Sequence, residues 1–354
     1  MKRRTILQGM AAGLSFGGTM SSAQSNTFYV PAEDAPHECT FMQWPVSRKV
    51  YSHSGFLRLV QAKIAEVANL IAEFEPVVML ADADHHAQIT PLLSGNVTLW
   101  NIPTEDLWCR DSGPIFAIDG AGNRVIQHIK FNGWGNKQTH EHDSQIAPRV
   151  AELLGLPLLD TPLNGEGGGI EQDGHGLLMA HESSWVIRNR NPGLSRQKVE
   201  TALLQAFGAS EMIWAPGLKD HDITDYHIDA LARFTGPGRV LMNLPSEPLH
   251  GDPFYKAMIE THDTLTARGL DIEVIPEPNR KRVKSDDFVA SYVNYYVCNG
   301  AVIASEFGDA ETDAQARQAL MTHFPEREIV MLNADILGEL GGGIHCATQQ
   351  MPAV

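Results

Sequence analysis

The sequence predicts an α/β protein that forms a single domain built from about five similar units. Short apolar segments alternate with longer segments of helical periodicity along most of its 354 residues. No low-complexity linker divides the chain after its N-terminal region, and a hydrophobic content of 43% is enough for an extensive core. Five units leave two arrangements open: an open doubly wound sheet, or a closed ring of small αβ modules around a channel. Glycine-rich connections at many strand ends slightly favour the ring.

The predicted elements follow one another in a regular order. The strands are short apolar runs at residues 74–81, 96–102, 125–131, 239–244 and 327–334. The helices repeat apolar residues every three or four positions, at residues 55–74, 143–155, 195–208, 253–269 and 313–324. Because strands flank each helix, we expect one αβ pattern to recur along the chain.

The N-terminus has the features of an export signal. A basic start at residues 2–4 precedes a mildly apolar run, and small residues at 21–23 suit signal cleavage. The paired arginines and the weak hydrophobicity favour the twin-arginine route. We therefore expect a signal peptide at residues 1–23, a mature domain at 24–354, and export to the periplasm. A basic soluble extension is the alternative.

The charge balance limits the classes of partner. The chain has 27 Lys and Arg against 43 Asp and Glu, a formal net charge of -16. This charge disfavours nucleic acid and anionic membranes and attracts small cations, although ordinary solubility also accounts for it. After the leader, no run of about 18 apolar residues follows, so we expect no membrane insertion of the mature chain.

The four cysteines, Cys39, Cys109, Cys298 and Cys346, are predicted to be free thiols. Four in a chain of this length are sparse for a disulfide scaffold, and a twin-arginine substrate folds in a reducing cytoplasm before export. The CxxC spacing typical of metal sites is absent.

Reactive side chains concentrate in four segments, residues 106–116, 164–176, 219–234 and 339–350. In the first, a strand is expected to end at Trp108–Asp111 before a Ser-Gly-Pro turn. The second carries Glu166 among glycines. In the third, His227 and Asp229 are two residues apart, and on an extended segment both would face the same side.

The fourth segment places Cys346 after three glycines at residues 341–343. Glycines permit a bend that other residues reject and let a ligand approach the backbone. A cysteine beside such space, with a histidine elsewhere, is typical of a nucleophile and its acid–base partner. The alternatives are ordinary ones: a buried cysteine packs as a small apolar side chain, and an aspartate beside an arginine forms a surface ion pair.

A metal site is a further alternative for the third segment. Its ligands would be His221, Asp225, His227 and Asp229. This spacing matches no common metal motif, so we expect no metal.

Together these segments resemble the agmatine deiminase and bacterial peptidylarginine deiminase family of guanidine-modifying enzymes. The resemblance spans nearly the whole mature chain, in the motifs PHECTFMQWP (36–45), DLWCRDSGP (106–114), FNGWG (131–135), EGGGIEQDGHG (166–176), RNRNP (188–192), TDYHIDALARF (224–234), SYVNYYVCNG (291–300) and GGGIHCATQQMP (341–352). It implies a five-bladed pseudosymmetric α/β propeller, the pentein-like fold, and thereby selects the closed ring.

The resemblance also implies residue roles in a cofactor-free hydrolysis. The catalytic set has a thiol nucleophile, an imidazole acid–base and carboxylates around the guanidinium: Cys346, His227, Asp111, Asp229 and Glu166. The implied substrate-binding set is Asp111, Asp229, Trp108 and Gly343. Paired carboxylates suit this chemistry because a guanidinium is planar and presents five donors.

The implied reaction converts agmatine and water to N-carbamoylputrescine and ammonia. Export suggests an alternative, a peptidylarginine deiminase that acts on arginine in peptides or proteins. A second alternative is a guanidine-binding protein without turnover, because Tyr226 stands where the family commonly has Gly before the catalytic histidine. The expected partner is a small cationic guanidine, and homo-oligomerisation is left open.

Overall fold

A computed structural model of the protein describes residues 28–285 and 288–354, so the predicted signal peptide at 1–23 lies outside the described residues. Within these ranges the strands form five sheets, one with four strands and four with three. The strands are β1 (His37–Gln43), β2 (Val77–Ala81), β3 (Val97–Asn101), β4 (Ile115–Ile118), β5 (Arg124–Lys130), β6 (Leu158–Asn164), β7 (Ile170–Gln172), β8 (Leu177–His181), β9 (Glu211–Ala215), β10 (Ala232–Gly236), β11 (Arg239–Leu244), β12 (Asp271–Pro276), β13 (Tyr296–Cys298), β14 (Ala301–Glu306), β15 (Glu328–Asn333) and β16 (Thr348–Pro352).

Helices connect many of these strands. They are α1 (Ser54–Ile71), α2 (Ala83–Ile89), α3 (Cys109–Ser112), α4 (Gly133–Asn136), α5 (Ile146–Leu154), α6 (Glu182–Trp185), α7 (Arg196–Phe207), α8 (Pro253–Ala267), α9 (Ala310–His323) and α10 (Asp335–Gly338). Short 3-10 turns cover Thr90–Leu92, Asp143–Gln145, Gly167–Gly169 and Ile228–Ala230. No helix in the described ranges is both long enough and apolar enough to cross a membrane.

The helix boundaries follow from local chemistry. The Ser195 side chain accepts a hydrogen bond from the backbone N–H of Lys198 and so caps the start of α7. The same helix ends at Gly208, whose φ of 65° is left-handed and costs glycine little. Asp252 likewise caps α8, and Pro253 occupies its first turn, where a missing N–H does no harm.

Four of the sheets repeat one connection pattern. Strand β4 pairs antiparallel with β5, α5 follows, and β6 returns to pair parallel with β5. The strand–strand–helix–strand order recurs in β7-β8-α7-β9, β10-β11-α8-β12 and β13-β14-α9-β15. A helix suits the last connection because parallel neighbours need a crossover.

The remaining sheet draws on both ends of the described chain. Its order is β16-β1-β2-β3, and β16 pairs antiparallel with β1, with Thr40 opposite Gln350. Helix α1 connects the parallel strands β1 and β2. This pairing fixes the segment immediately before β16, which contains Cys346, against the N-terminal strand.

The prediction of an α/β chain is confirmed, and each predicted strand and helix lies within a few residues of an observed one. The predicted apolar faces are buried: in α1 they comprise Leu57, Val60, Ile64, Ala65, Val67, Ala68 and Ile71. Buried apolar side chains gather in five clusters between helices and sheets. The four predicted free thiols are free and buried.

Two local predictions are wrong. Trp108–Asp111 is not the end of a strand, because the backbone closes into α3, where the N–H of Gly113 donates to the carbonyl of Cys109. His227 and Asp229 do not lie on an extended segment. His227 precedes a 3-10 turn that contains Asp229, after Asp225 and Tyr226 have reversed the chain in the left-handed region.

Candidate active site

Cys346 lies in the turn just before β16, and only 9% of it is exposed. Its Sγ is 3.1 Å from the Asn294 Nδ2, which donates to it, and 3.3 Å from the Asp229 Oδ2. The Asn294 Oδ1 accepts from the Cys346 backbone N–H at 3.3 Å. One amide side chain therefore holds the cysteine at two points, and the sulfur faces a carboxylate.

The three glycines before Cys346 are required for three different reasons. Gly341 has a φ of 90°, which side chains other than glycine rarely adopt. A Cβ on Gly342 would lie 2.6 Å from the Trp108 ring, and one on Gly343 would lie 2.5 Å from the Asn294 Oδ1. The glycines thus allow the turn and the close approach of an aromatic ring and an amide to the thiol segment.

Three predicted site residues meet above Gly168. A Cβ built there would lie 2.7 Å from the Asp111 Oδ1, 2.9 Å from the His227 Nδ1 and 3.1 Å from the Asp229 Oδ2. The backbone N–H of Gly168 also donates to the Asp111 Oδ1 at 3.0 Å. Since Asp229 contacts the sulfur, the thiol, the imidazole and both aspartates belong to one site.

His227 is surrounded by carboxylates. Its Nε2 is 3.2 Å from the Glu166 Oε2, and its Nδ1 is 3.6 Å from the Asp111 Oδ1. Burial alone would lower the pKa of His227, but the charges of Asp111, Glu166 and Asp229 outweigh it and raise that pKa to about 9. These carboxylates therefore favour the imidazolium form of His227 at neutral pH.

Glu166 acts on this site through His227 and is itself held by an arginine. The Arg190 Nε donates to both of its carboxylate oxygens, at 2.9 and 2.8 Å, and both side chains are almost fully buried. The same guanidinium donates from Nη1 to the Asp225 Oδ2 at 2.6 Å. The arginine thus fixes Glu166 and the segment just before His227 together.

Burial disfavours the charged form of Asp111. Burial raises its pKa to about 6, assisted by the nearby charges of Asp229 and Glu166 and opposed by His227. The Trp134 Nε1 donates to its Oδ2 at 2.8 Å, which fixes the orientation of the carboxylate.

Asp229 is held in the ionised form. Burial alone would raise its pKa, but a 2.7 Å hydrogen bond from the His345 Nδ1 and the positive charges of His345 and His227 bring that pKa below its ordinary value. Its Oδ2 receives these contacts. Its Oδ1 is buried and has no hydrogen-bond partner among the described residues, which leaves one strong acceptor open.

The thiol itself is disfavoured as a thiolate in the ligand-free protein. Burial raises the pKa of Cys346 well above its ordinary value, and the carboxylates of Asp229 and Asp111 raise it further. The backbone of Gly343 and the Asn294 amide oppose this shift in part. A positive charge placed between the two carboxylates would reverse their effect on the sulfur.

Tyr226, the departure that suggested a protein without turnover, lies in the core. Its ring stacks on His181 with centroids 4.9 Å apart and meets the Phe254 ring edge-on. Its φ of 71° is left-handed, and the His181 Nδ1 donates to its carbonyl at 2.7 Å. These contacts hold the backbone that a glycine would adopt freely, and they direct the side chain into the core.

The geometry argues against the metal alternative. The carboxylate of Asp225 receives Arg190 and Lys137, at 2.6 and 2.7 Å. His221 instead contacts the Phe254 ring. Within the described ranges no group of three potential ligands could hold a metal ion.

The structure brings together all of the residues predicted for the site. Trp108 and Gly343 border the thiol segment, whereas Glu166 contacts the imidazole. Sequence reasoning did not single out Asn294, His345, Trp134 and Gly168. Each lies in a motif of the resemblance, but the side chain that it contacts lies in a distant segment of the chain. Asn294 and Cys346, for example, are 52 residues apart in the sequence.

Comparison with known proteins agrees with this geometry. Residues 29–352 match the Porphyromonas-type peptidyl-arginine deiminase family. A Streptomyces coelicolor protein provisionally named agmatine deiminase is 35% identical over 337 residues, which cover 92% of this chain and 99% of that protein.

Solved structures show the same likeness. The agmatine deiminase of Enterococcus faecalis has a TM-score of 0.84 at 26% identity, covering 92% of this chain and 96% of that one. A provisionally assigned arginine deiminase from Porphyromonas gingivalis has a TM-score of 0.80 at 28% identity, covering 92% and 98%. With a family match that spans nearly all of the described residues, this chain belongs to the Porphyromonas-type peptidyl-arginine deiminase family.

Proposed function

We propose that the protein hydrolyses the guanidinium group of agmatine, giving N-carbamoylputrescine and ammonia through a covalent intermediate on Cys346. One observation carries the proposal: a thiol, an imidazole and two carboxylates meet in one buried site, where the Asp229 Oδ1 has no partner among the described residues.

A guanidinium is the cation that fits these acceptors. It presents N–H donors in one plane, so Asp111 and Asp229 can each receive donors and hold the central carbon beside the sulfur. Burial of the cation is favourable only if it is paired, and the two carboxylates supply that pairing. The guanidinium would also neutralise the charges that raise the pKa of Cys346, so substrate binding itself favours the thiolate.

The first half-reaction forms the S–C bond. The Cys346 thiol releases its proton to solvent as the substrate binds. The thiolate adds to the guanidinium carbon and gives a tetrahedral adduct, whose amino group receives a proton from His227 and leaves as ammonia. A thiouronium remains on Cys346, and His227 is now neutral. The orientation of His227 supports this transfer, because its Nδ1 faces Asp111, one of the two carboxylates proposed to hold the guanidinium.

The second half-reaction breaks the S–C bond. Neutral His227 takes a proton from water, and the resulting hydroxide adds to the thiouronium carbon. As the S–C bond breaks, the adduct releases its hydroxyl proton to solvent and gives the ureido product and the thiolate. His227 is protonated again at the end, so one imidazole serves both steps. Glu166 and Arg190 keep its ring in place.

The closed five-bladed ring is part of the proposal. Its support is the recurrence of one strand–strand–helix–strand pattern and the pairing of β16 with β1, which joins the first and last described strands. Export to the periplasm is also proposed, on the basic start and small-residue cleavage site of residues 1–23.

Agmatine is preferred over peptidyl arginine because the Streptomyces coelicolor and Enterococcus faecalis proteins carry the name agmatine deiminase and the thiol is largely buried. The test compares agmatine, free arginine and peptides with a C-terminal arginine by measuring ammonia and ureido product. We expect the highest kcat/KM with agmatine. Preference for the peptides would reject the substrate assignment, and agmatine binding without product would reject the enzyme.

The covalent step has its own test. Cys346→Ala is expected to abolish turnover, whereas Cys39→Ala, which removes a buried thiol of β1, is expected to retain it. Mass spectrometry of the acid-quenched enzyme should find the adduct on the peptide that contains residue 346. Undiminished turnover by the Cys346 variant would exclude the covalent route.

A further inference from the structure

The histidine immediately before the nucleophile connects two carboxylates, the buried Asp229 and the half-buried Glu33. The His345 Nδ1 is 2.7 Å from the Asp229 Oδ2, and its Nε2 is 2.8 Å from the Glu33 Oε2. Ionised carboxylates only accept hydrogen bonds, so a ring that bonds one at each nitrogen must donate from both. His345 thus bridges two carboxylates, with one ring nitrogen on each.

Glu33 is anchored by groups outside the catalytic cluster. Its Oε2 also accepts from the Arg233 Nη2 at 2.8 Å and the Arg110 Nη2 at 3.3 Å, and its Oε1 accepts from the Val297 backbone N–H at 2.9 Å. Burial alone would raise the pKa of Glu33, but Arg233, His345 and Arg110 hold it well below its ordinary value. Glu33 is therefore a fixed anion that faces His345.

The anchor lies apart from the catalytic pocket. Glu33, Arg110, Arg233 and His345 line a cavity of about 60 Å³ whose lining does not include Cys346. Arg233 is further fixed by an ion pair with Glu171, with its Nε 2.6 Å from the Oε1. His345 can thus influence the reaction through Asp229 without contacting the guanidinium.

The contact from His345 determines which oxygen of Asp229 remains open. The Oδ2 faces the His345 Nδ1, the Cys346 Sγ and, at 3.4 Å, the Asn294 Nδ2. The Oδ1 has no partner in the described part of the chain. The other charged groups that face Asp229 are His227, Arg233 and Asp111.

We propose that His345 is a positioning residue that orients Asp229 and keeps it ionised for the substrate cation, and that Glu33 acts through His345. This role rests on the proposed function, because it concerns the carboxylate that would receive the guanidinium. It gives a positioning role to His345 and Glu33, neither of which needs to touch the substrate.

The test uses His345→Gln, which keeps a donor but removes the charge. The KM for agmatine at pH 7 is expected to rise about 10- to 100-fold, in line with loss of a charged hydrogen bond, while kcat falls less. Loss of the cation raises the pKa of Asp229 toward that of Asp111. Because both carboxylates must be ionised to bind the guanidinium, the acid limb of kcat/KM should move to higher pH. His323→Gln is the matched control, since His323 likewise bonds a side-chain oxygen at each ring nitrogen, the hydroxyl of Thr235 and the carboxylate of Glu273.

Glu33→Gln provides a second variant in case His345→Gln folds poorly. Like His345→Gln, it should raise the KM for agmatine and move the acid limb of kcat/KM to higher pH. If Glu33 acts through His345, the double variant should lose about as much as His345→Gln alone, whereas independent structural damage would add. Circular dichroism and thermal unfolding establish the folded fraction of every variant.

The possible failures are distinguishable. A parent protein that neither binds nor hydrolyses agmatine would reject both the function and this role. An active parent, with His345→Gln and Glu33→Gln variants that match His323→Gln in KM and pH profile, would reject the role alone. Additive losses in the double variant would remove Glu33 from the proposal.

Discussion

Replacement of Gly168 by alanine would place a methyl group where three site side chains meet. The Cβ would stand 2.7 Å from the Asp111 Oδ1 and 2.9 Å from the His227 Nδ1, whereas ordinary contact begins at 3.4 Å. The side chains must therefore move by about 0.5 to 0.7 Å. The φ of Gly168 is not in the left-handed region, so alanine causes no backbone strain of that kind.

A shift of that size affects the reaction strongly because displacement by about 1 Å can lower a rate about 100-fold. We expect kcat/KM for agmatine to fall about 30- to 100-fold, equivalent to about 2 to 3 kcal/mol in the activation free energy. Overpacking should also reduce the free energy of unfolding by about 1 to 3 kcal/mol, which should leave the protein folded.

The assay measures ammonia release against agmatine concentration, and denaturant unfolding gives the stability. Gly95→Ala is the matched control, because a Cβ there meets nothing within 4 Å. If folded Gly168→Ala protein kept at least about a third of the parental kcat/KM, the three side chains would not converge closely enough for the mechanism described here.

Three further predictions follow from the site and its support. The pKa of Asp111 near 6 and that of His227 near 9 predict a bell-shaped dependence of kcat/KM on pH. Activity needs the ionised carboxylate, which forms above the first value, and the imidazolium, which persists below the second. A flat profile from pH 5 to 10 would contradict this prediction. Arg190→Met should cost about 3 to 5 kcal/mol in the free energy of unfolding, because Glu166 would be left buried without its main partner, and urea denaturation would measure the loss. Tyr226→Phe should leave the melting temperature and activity unchanged or slightly higher, because its buried hydroxyl has no partner among the described residues; a clear loss of stability in calorimetry would reveal a partner for that hydroxyl.

The sequence predicted the helices well because their apolar residues repeat at helical spacing and all pack on neighbouring sheets. The same reasoning located Cys346 beside permissive backbone. It failed between residues 224 and 230 because Asp225 and Tyr226 adopt left-handed conformations that tertiary contacts impose. An extended segment was expected there from residue spacing alone, and spacing carries no information on such a reversal.

The site could be predicted only in part because its geometry depends on contacts between distant segments. Asn294 holds a sulfur 52 residues away, and Glu33 meets a histidine 312 residues away. Local periodicity cannot report such pairs. The motifs of the resemblance contain Asn294, His345 and Cys346 but not Glu33, and they do not indicate which side chains touch.

The pairing of β16 with β1 also bears on how the chain could be rearranged. In the other sheets the corresponding antiparallel strands are joined directly; the turn around Asp119 between β4 and β5 is one example. In the first sheet the corresponding antiparallel strands, β16 and β1, are not joined by a turn, and Pro352 lies opposite His37. A circular permutant that joins these strands and opens the chain at the Asp119 turn would conserve every strand pair. Which strands pair is thus independent of which of these two connections is left open.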